Sequence, residues 1–225
     1  MSIDKIQQDF DRLALFSNEG WDHNGHYHAF LLKHLPAASE ADALEIGCGT
    51  GGFSRLLARR YRRVLALDLS PRMIQIARER SRQFPNIDFQ VADVMNYDFS
   101  ARSFGCIASI ATLHHLPLES ILTQLRDLLQ PNGSLLVLDP LQAESLIDFA
   151  VGALAMPLNP ILKLLKTGRL TEPDEVRAAW EEHGRTDVYP TLTQVRQASA
   201  TLPNAKVTRH LFWRYSLVWK KMASY

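Results

Sequence analysis

Five short apolar runs punctuate residues 43–139: Ala43 to Gly47, Val64 to Asp68, Ile87 to Val91, Phe104 to Ala111 and Ser134 to Asp139. Amphipathic stretches stand between them. Phe53 to Arg60 has a helical pattern, and a second helix opens at Ser70-Pro71 and reaches about Phe84. A third carries Leu118, Ile121, Leu122, Leu125 and Leu128 on one stripe and stops at Pro131-Asn132-Gly133. Strand, helix, strand at this spacing gives βαβ units, a parallel sheet and helices on both of its faces. Ser70 suits an N-cap, because its hydroxyl can accept an orphan helix N–H, and Pro71 suits the first helical position, where no N–H is needed.

The flanks read differently. Ile3, Ile6, Phe10 and Leu13 recur at three- and four-residue spacing, which predicts an amphipathic helix. A polar stretch, Ser17 to Gly25, precedes a second helix that ends near Leu35 at Pro36. Residues 141–170 are apolar and broken by Pro157 and Pro160; Pro173 to His183 is helical in pattern, with Gly184 as its stop. Thr191 and Gln194 offer a capping box. Trp213, Tyr215, Leu217 and Trp219 alternate with polar or smaller residues, which makes Trp213 to Lys221 a strand, paired in a hairpin with Lys206 to Leu211. The expected organisation is one domain: a helical lid over 1–36, a core over 43–139, a helical insertion over 141–203 and a terminal hairpin over 205–221.

The first apolar run ends in Glu45-Ile46-Gly47-Cys48-Gly49-Thr50-Gly51-Gly52. Glycines serve where a strand turns sharply into a helix and a ligand approaches the backbone, and the helix N-terminus adds unpaired N–H groups. Gly47, Gly49 and Gly52 fit the dinucleotide pattern G-x-G-x-x-G; Gly47, Gly49 and Gly51 fit G-x-G-x-G. Asp68, at the end of the second run, can accept both ribose hydroxyls in either case. Two acids discriminate. Glu45 lies inside an apolar strand, where it suits a cationic ligand better than a nicotinamide, and Asp93 follows the third strand where a carboxylate can accept an adenine amino group.

Glu45-Ile-Gly-Cys-Gly-Thr-Gly51, Leu67-Asp68-Leu69-Ser70, Ala92-Asp93-Val94, Thr112-Leu-His-His-Leu116 and Leu129-Gln-Pro-Asn-Gly-Ser134 resemble, in order, the motifs of class I S-adenosylmethionine-dependent methyltransferases. The likeness is to the small-molecule branch that includes quinone-biosynthesis enzymes. It departs at Pro131-Asn132-Gly133, where Pro-Gly-Gly is usual; Asn also tolerates φ > 0. The resemblance implies an α/β fold: a doubly wound, seven-stranded, mostly parallel Rossmann-like sheet with an antiparallel last strand. It also implies S-adenosyl-L-methionine as cofactor and S-adenosyl-L-homocysteine as product. Carried over, Gly47, Gly49 and Gly51 would line the methionine and ribose, and Asp68 would hold the ribose. Leu69 and Met73 would meet the adenine, Asp93 its amino group and Val94 its edge, and Ile110 would face the sulfonium.

Methyl transfer needs alignment and exclusion of water, and a base only where the acceptor must lose a proton. His28 and His115 are the acid/base candidates. His115 and His114 follow the fourth strand at the carboxyl edge of the sheet, where open α/β folds bind ligands. Tyr27 or His28, ahead of the first strand, can reach a cofactor or acceptor. His23-x-x-His26-x-His28 has poor spacing for a metal, and no metal is expected. Motifs for attack on nucleobases are missing, and a net charge of +1 with a pI near 7.9 gives no broad basic face, so no nucleic-acid partner is expected. The acceptor is expected to be a hydrophobic small molecule. The apolar segment 146–165, flanked by Lys163, Lys166 and Arg169, also permits contact with a membrane surface.

The two cysteines cannot build a disulfide framework, and the first twenty residues are unlike a signal peptide, which predicts a cytoplasmic protein. Two other readings compete: a nicotinamide-dependent enzyme, and a non-methylating scaffold subunit or cyclase that keeps the cofactor site.

Overall fold

A computed structural model describes residues 3–17, 23–100, 102–168, 173–185 and 187–223. Helices α1 (Ile3–Ala14) and α2 (His28–Leu32) precede the sheet. Then come β1 (Ser39–Ile46), α3 (Gly52–Ala58), β2 (Tyr61–Asp68), α4 (Pro71–Arg80), β3 (Ile87–Val91), β4 (Phe104–Ile110), α5 (Leu118–Leu128) and β5 (Leu129–Pro140). Helices α6 (Leu146–Thr167), α7 (Asp174–Gly184) and α8 (Leu192–Ala198) lead into β6 (Lys206–His210) and β7 (Arg214–Lys220).

The strands form one sheet in the order β3-β2-β1-β4-β5-β7-β6. All pairings are parallel except those of β7, which runs antiparallel to both β5 and β6. This is the doubly wound, seven-stranded arrangement expected. Strand order reverses between β1 and β4, so the crevice at their carboxyl ends is where such a sheet takes a ligand. Alternate side chains feed two cores. Leu44, Ile46, Ile107, Leu135 and Val137 pack toward Ile121 and Leu125 of α5 and Val195 of α8. Ala43, Val64, Ala66, Cys106 and Leu136 pack toward Leu57 of α3 and Ile74 of α4. Full burial of each Leu or Ile stabilises by roughly 1.5–3 kcal/mol.

Helix starts follow the local chemistry. Ser70 caps α4, its Oγ accepting the Met73 N–H at 3.0 Å while donating to Asp11 of α1 at 2.5 Å. Thr191 and Gln194 form the expected reciprocal box on α8. Ser145 and Asp148 form another on α6 that the sequence reading passes over.

Several boundaries differ from expectation. The second helix ends at Leu32 rather than Leu35, and β1 begins four residues early at Ser39. Pro131-Asn132-Gly133 does not simply stop α5. It lies inside β5 as a bulge, Leu129 pairing with Phe104 and Ser134 with Cys106, and Asn132 takes φ +64°. Pro157 and Pro160 do not break the insertion; both sit within α6, on its exposed side, where water can satisfy the carbonyls they leave unbonded. The side chains of Lys163 and Lys166, and all of Arg169, lie outside the described residues. Gly184 is the last residue of α7, without the left-handed conformation of a glycine stop, and Arg185 closes the helix. Trp213 does not belong to the buried stripe: it sits in the hairpin turn at φ +52° and is 39% exposed, whereas Tyr215, Leu217 and Trp219 are buried.

Thr191→Ala removes the capping box of α8. It is expected to cost ~1 kcal/mol and to lower the thermal midpoint by about 2–4 °C for a chain of this size. An unchanged midpoint in a circular-dichroism melt would show that the cap contributes nothing.

Candidate active site

Beyond the last residue of β1 the chain reverses through three left-handed glycines: Gly47 at φ +68°, Gly49 at +51° and Gly51 at +78°. The Leu67 carbonyl of β2 holds the turn, accepting the N–H groups of Gly47 at 2.8 Å and Cys48 at 3.0 Å. The glycines serve different ends. A Cβ on Gly47 would overlap the Thr112 side chain beyond β4, and one on Gly51 would come 2.9 Å from the Phe89 ring of β3. A Cβ on Gly49 would meet nothing within 4 Å, because that backbone borders a cavity of about 700 Å³.

The cavity spans the crevice between the ends of β1, β2, β3 and β4. Glu45, Gly47, Gly49, Asp68, Leu69, Met73, Asp93, Val94 and Ile110 all line it, as do His28 and His115, whereas Gly51 stands behind the wall. Asp68 accepts the Gly49 N–H through Oδ2 at 2.8 Å and the Ser70 N–H through Oδ1 at 2.9 Å. It therefore ties the glycine turn to the start of α4. Burial pushes its pKa up, against those N–H donors. Asp93 is held locally by the Met95 N–H at 3.0 Å and the Asn96 amide at 2.6 Å.

Glu45 is almost wholly buried and accepts a hydrogen bond from the Ser54 hydroxyl of α3. Burial pushes its carboxyl up to about 8; the Ser54 bond pulls the other way and loses. A carboxyl raised in the fold binds its proton more tightly there than in the unfolded chain, so its contribution to stability is lost as pH rises toward 8.

Opposite the glycine turn the cavity becomes apolar, then polar. Ile3, Ile6 and Phe10 of α1 face Val176 and Trp180 of α7 across it. At its far end three imidazoles surround one carboxylate. His183 Nε2 is 3.2 Å from Asp187 Oδ2, His114 Nε2 is 3.7 Å from the same oxygen, and His115 Nδ1 is 3.8 Å from Oδ1. The other ring nitrogens of two of them are held: His114 Nδ1 lies 3.0 Å from Asp139, and His183 Nδ1 2.9 Å from Asp9. Burial lowers His114, but the bond to Asp139 and the nearby carboxylate of Asp187 outweigh it and raise the group to about 9. Burial and the neighbouring His114 bring His115 down to about 4.

Sequence reasoning found His114 and His115 by their place after β4. It missed Asp187, Tyr189 and the role of Asp9, which no motif spacing marks, and it read His183 only as a helix end. Conversely, the N-terminal histidines do not converge. His23 stacks on Phe212 at 4.8 Å, and His28 packs against Phe53 at 5.1 Å. Tyr27 donates to the Leu211 carbonyl at 3.1 Å and does not line the cavity. Trp21, at the head of that segment, lies outside the described residues.

The profile of a family described as a methyltransferase domain matches residues 43–133, the stretch that carries the glycine turn, both acids and the start of β5. Over that stretch the chain is similar to methyltransferase domains. An uncharacterised methyltransferase of Mycobacterium tuberculosis is 28% identical over 208 residues, spanning 90% of this chain and 98% of the relative. A ubiquinone biosynthesis O-methyltransferase of Xylella fastidiosa is 29% identical over 199 residues, spanning 79% of this chain and 77% of the relative. Among solved structures, the N-methyltransferase NodS of Bradyrhizobium japonicum, bound to S-adenosyl-L-homocysteine, superposes with a TM-score of 0.58 at 17% identity, covering 96% of this chain and 97% of that one.

Two outcomes are expected of this site. Gly49→Ala should fold at a cost of about 1–2 kcal/mol for its left-handed backbone, yet weaken S-adenosylmethionine binding by about tenfold or more, ~1.4 kcal/mol. Gly47→Ala should destabilise more, because Thr112 must also move; calorimetry and melting curves on both variants check the contrast. Glu45→Gln should match the parent's stability below pH 5 and exceed it above pH 8. Parallel pH-dependence in the two proteins would show that Glu45 does not carry the effect.

Proposed function

We propose that the chain transfers the methyl group of S-adenosyl-L-methionine to a hydrophobic small molecule. One observation carries the reading: a single cavity joins the glycine turn, Asp68 and Asp93 to an apolar chamber that ends in a cluster of imidazoles. The cofactor, when bound, supplies an electrophilic methyl whose carbon–sulfur bonding electrons pass to sulfur as the acceptor's lone pair forms the new bond.

The chain's own residues bind, orient and exclude water. Gly47, Gly49 and Gly51 shape the turn against which the methionine and ribose lie. Asp68 retains a lone pair on each oxygen for the ribose hydroxyls. Leu69 and Met73 take the adenine face, Asp93 its amino group and Val94 its ring edge, while Ile110 faces the sulfonium. Glu45 beneath the turn favours a cationic ligand, since a nearby positive charge stabilises its carboxylate. The N-terminal segment and α7 act as a lid over the acceptor, which excludes water from the reacting centre.

His28 lies against Phe53 beside the glycine turn, so we assign it to the cofactor end. His115 lies at the acceptor end, and we assign to it the acceptor's proton-bearing group. The O-methyltransferase named among the relatives supports a hydroxyl-bearing aromatic or quinone-like acceptor. Leu146, Ile147, Phe149 and Leu165 of α6 are exposed, a face suited to the membrane surface where such acceptors reside. No helix among the described residues is long and apolar enough to cross a membrane. Cys48 and Cys106 are free and buried, which suits a reducing cytoplasm.

Isothermal titration with S-adenosylmethionine, S-adenosylhomocysteine and NAD tests the reading. The first two are expected to bind and NAD is not. Asp68→Asn should weaken binding of S-adenosylmethionine by roughly 1.5–3 kcal/mol, the scale of a charged hydrogen bond. Binding of NAD alone, or full affinity in the variant, would refute the assignment.

A further inference from the structure

The polar end of the cavity is organised beyond what ion pairing needs. His114, His115 and Asp187 each offer one donor atom, and the three atoms lie within 4.8 Å of one another; His114 presents Nε2 to Asp187 Oδ2 and His115 presents Nδ1 to Oδ1. The shortest contacts of His114 and His115 with that carboxylate are 3.7 and 3.8 Å, too long for hydrogen bonds. They are close to the ~3.4 Å that separates neighbouring donors around a tetrahedral ion with bonds of about 2.0–2.2 Å. Asp187 Oδ1 is buried without a hydrogen-bond partner, and so is His115 Nε2.

For His114 and Asp187, the atoms on the far side of the donors are held as a metal site requires. His114 Nδ1 lies 3.0 Å from Asp139, so Nε2 is the nitrogen that would give up its proton to an ion. Asp187 Oδ2 accepts from the Tyr189 hydroxyl at 3.2 Å and faces His183 Nε2 at 3.2 Å, which leaves Oδ1 pointing inward. His183 is fixed in turn by Asp9. Carboxylates that orient the outer nitrogens of ligating histidines are the usual second layer of such sites.

We propose that His114, His115 and Asp187 bind a divalent transition-metal ion, zinc by donor type, at the acceptor end of the cavity. Two imidazoles and one carboxylate leave a coordination position open toward the cavity, as three-ligand catalytic sites do. Resting on the methyl-transfer reading, the ion would hold an acceptor oxygen or nitrogen there and lower its proton affinity. Metal binding itself does not depend on that reading. The expectation of no metal rested on the N-terminal histidines; Asp187 is distant in the chain from the adjacent His114 and His115 and meets them only through the fold.

The test uses the full chain, stripped with a chelator, titrated with zinc and counted by elemental analysis, with Co²⁺ as a spectroscopic probe. About one zinc per chain is expected, with tetrahedral Co²⁺ d–d absorption. Asp187→Asn and His115→Gln should each weaken zinc by at least the ten- to hundredfold seen for lesser disturbances, while His28→Gln leaves it unchanged. Melting curves and S-adenosylmethionine titrations on the same samples report whether each variant folds. No stoichiometric zinc on the parent protein, or equal zinc on the Asp187 and His115 variants, would overturn the site. Retained S-adenosylmethionine binding with no zinc would sink the metal alone; zinc binding with no S-adenosylmethionine binding would sink the cofactor reading and leave the metal standing.

Discussion

The carbonyl of Leu67 accepts two N–H groups from the neighbouring strand's turn, and the geometry of the cavity follows from that bifurcated contact. It fixes where β1 stops and forces Gly47 into a left-handed conformation, bringing that backbone against Thr112. One residue on, Asp68 bonds back to Gly49 and forward to Ser70, so the glycine turn and the start of α4 share one carboxylate. Strand ends, turn and helix cap therefore stand or fall together. A side chain at Gly47 would separate β1 from the β4 turn, and with it the cofactor half of the cavity from the acceptor half.

The cofactor half was legible because its signals are local. Glycines with φ > 0, an acid at a strand end and a Ser-Pro helix start each declare themselves within a few residues, and the parallel sheet imposes their meeting at one edge. The acceptor half is assembled from Asp9 on α1, His114 and His115 after β4, Asp139 on β5, His183 on α7 and Asp187 beyond it. No period or spacing links those positions. Boundaries were misread for the same reason. Pro157 and Pro160 break helices in local terms, but an exposed helix tolerates the lost bonds. Trp213 fits a strand alternation until the hairpin turns one residue later than the pattern suggests.

The buried acids serve opposite ends. Glu45 lies under the glycine turn, pushed up by burial, where a cation would repair its desolvation. Asp187 is held below the ordinary carboxylate range: burial alone would raise it, but His114 and the imidazoles around it win. One carboxyl is short of positive charge and the other is surrounded by it, which gives the two halves of the cavity different electrostatic characters within one continuous space.

The roof of that space is drawn from α1 and α7, on opposite sides of the sheet in sequence, clasped by Asp9 to His183 and Arg12 to Glu182. Neither helix supplies a strand, and α1 is also tied to the start of α4, where Asp11 accepts from the Ser70 hydroxyl. A roof joined by a few charge pairs costs less free energy to part than the hydrogen-bonded sheet beneath it, so local opening there is cheaper than any opening of the floor.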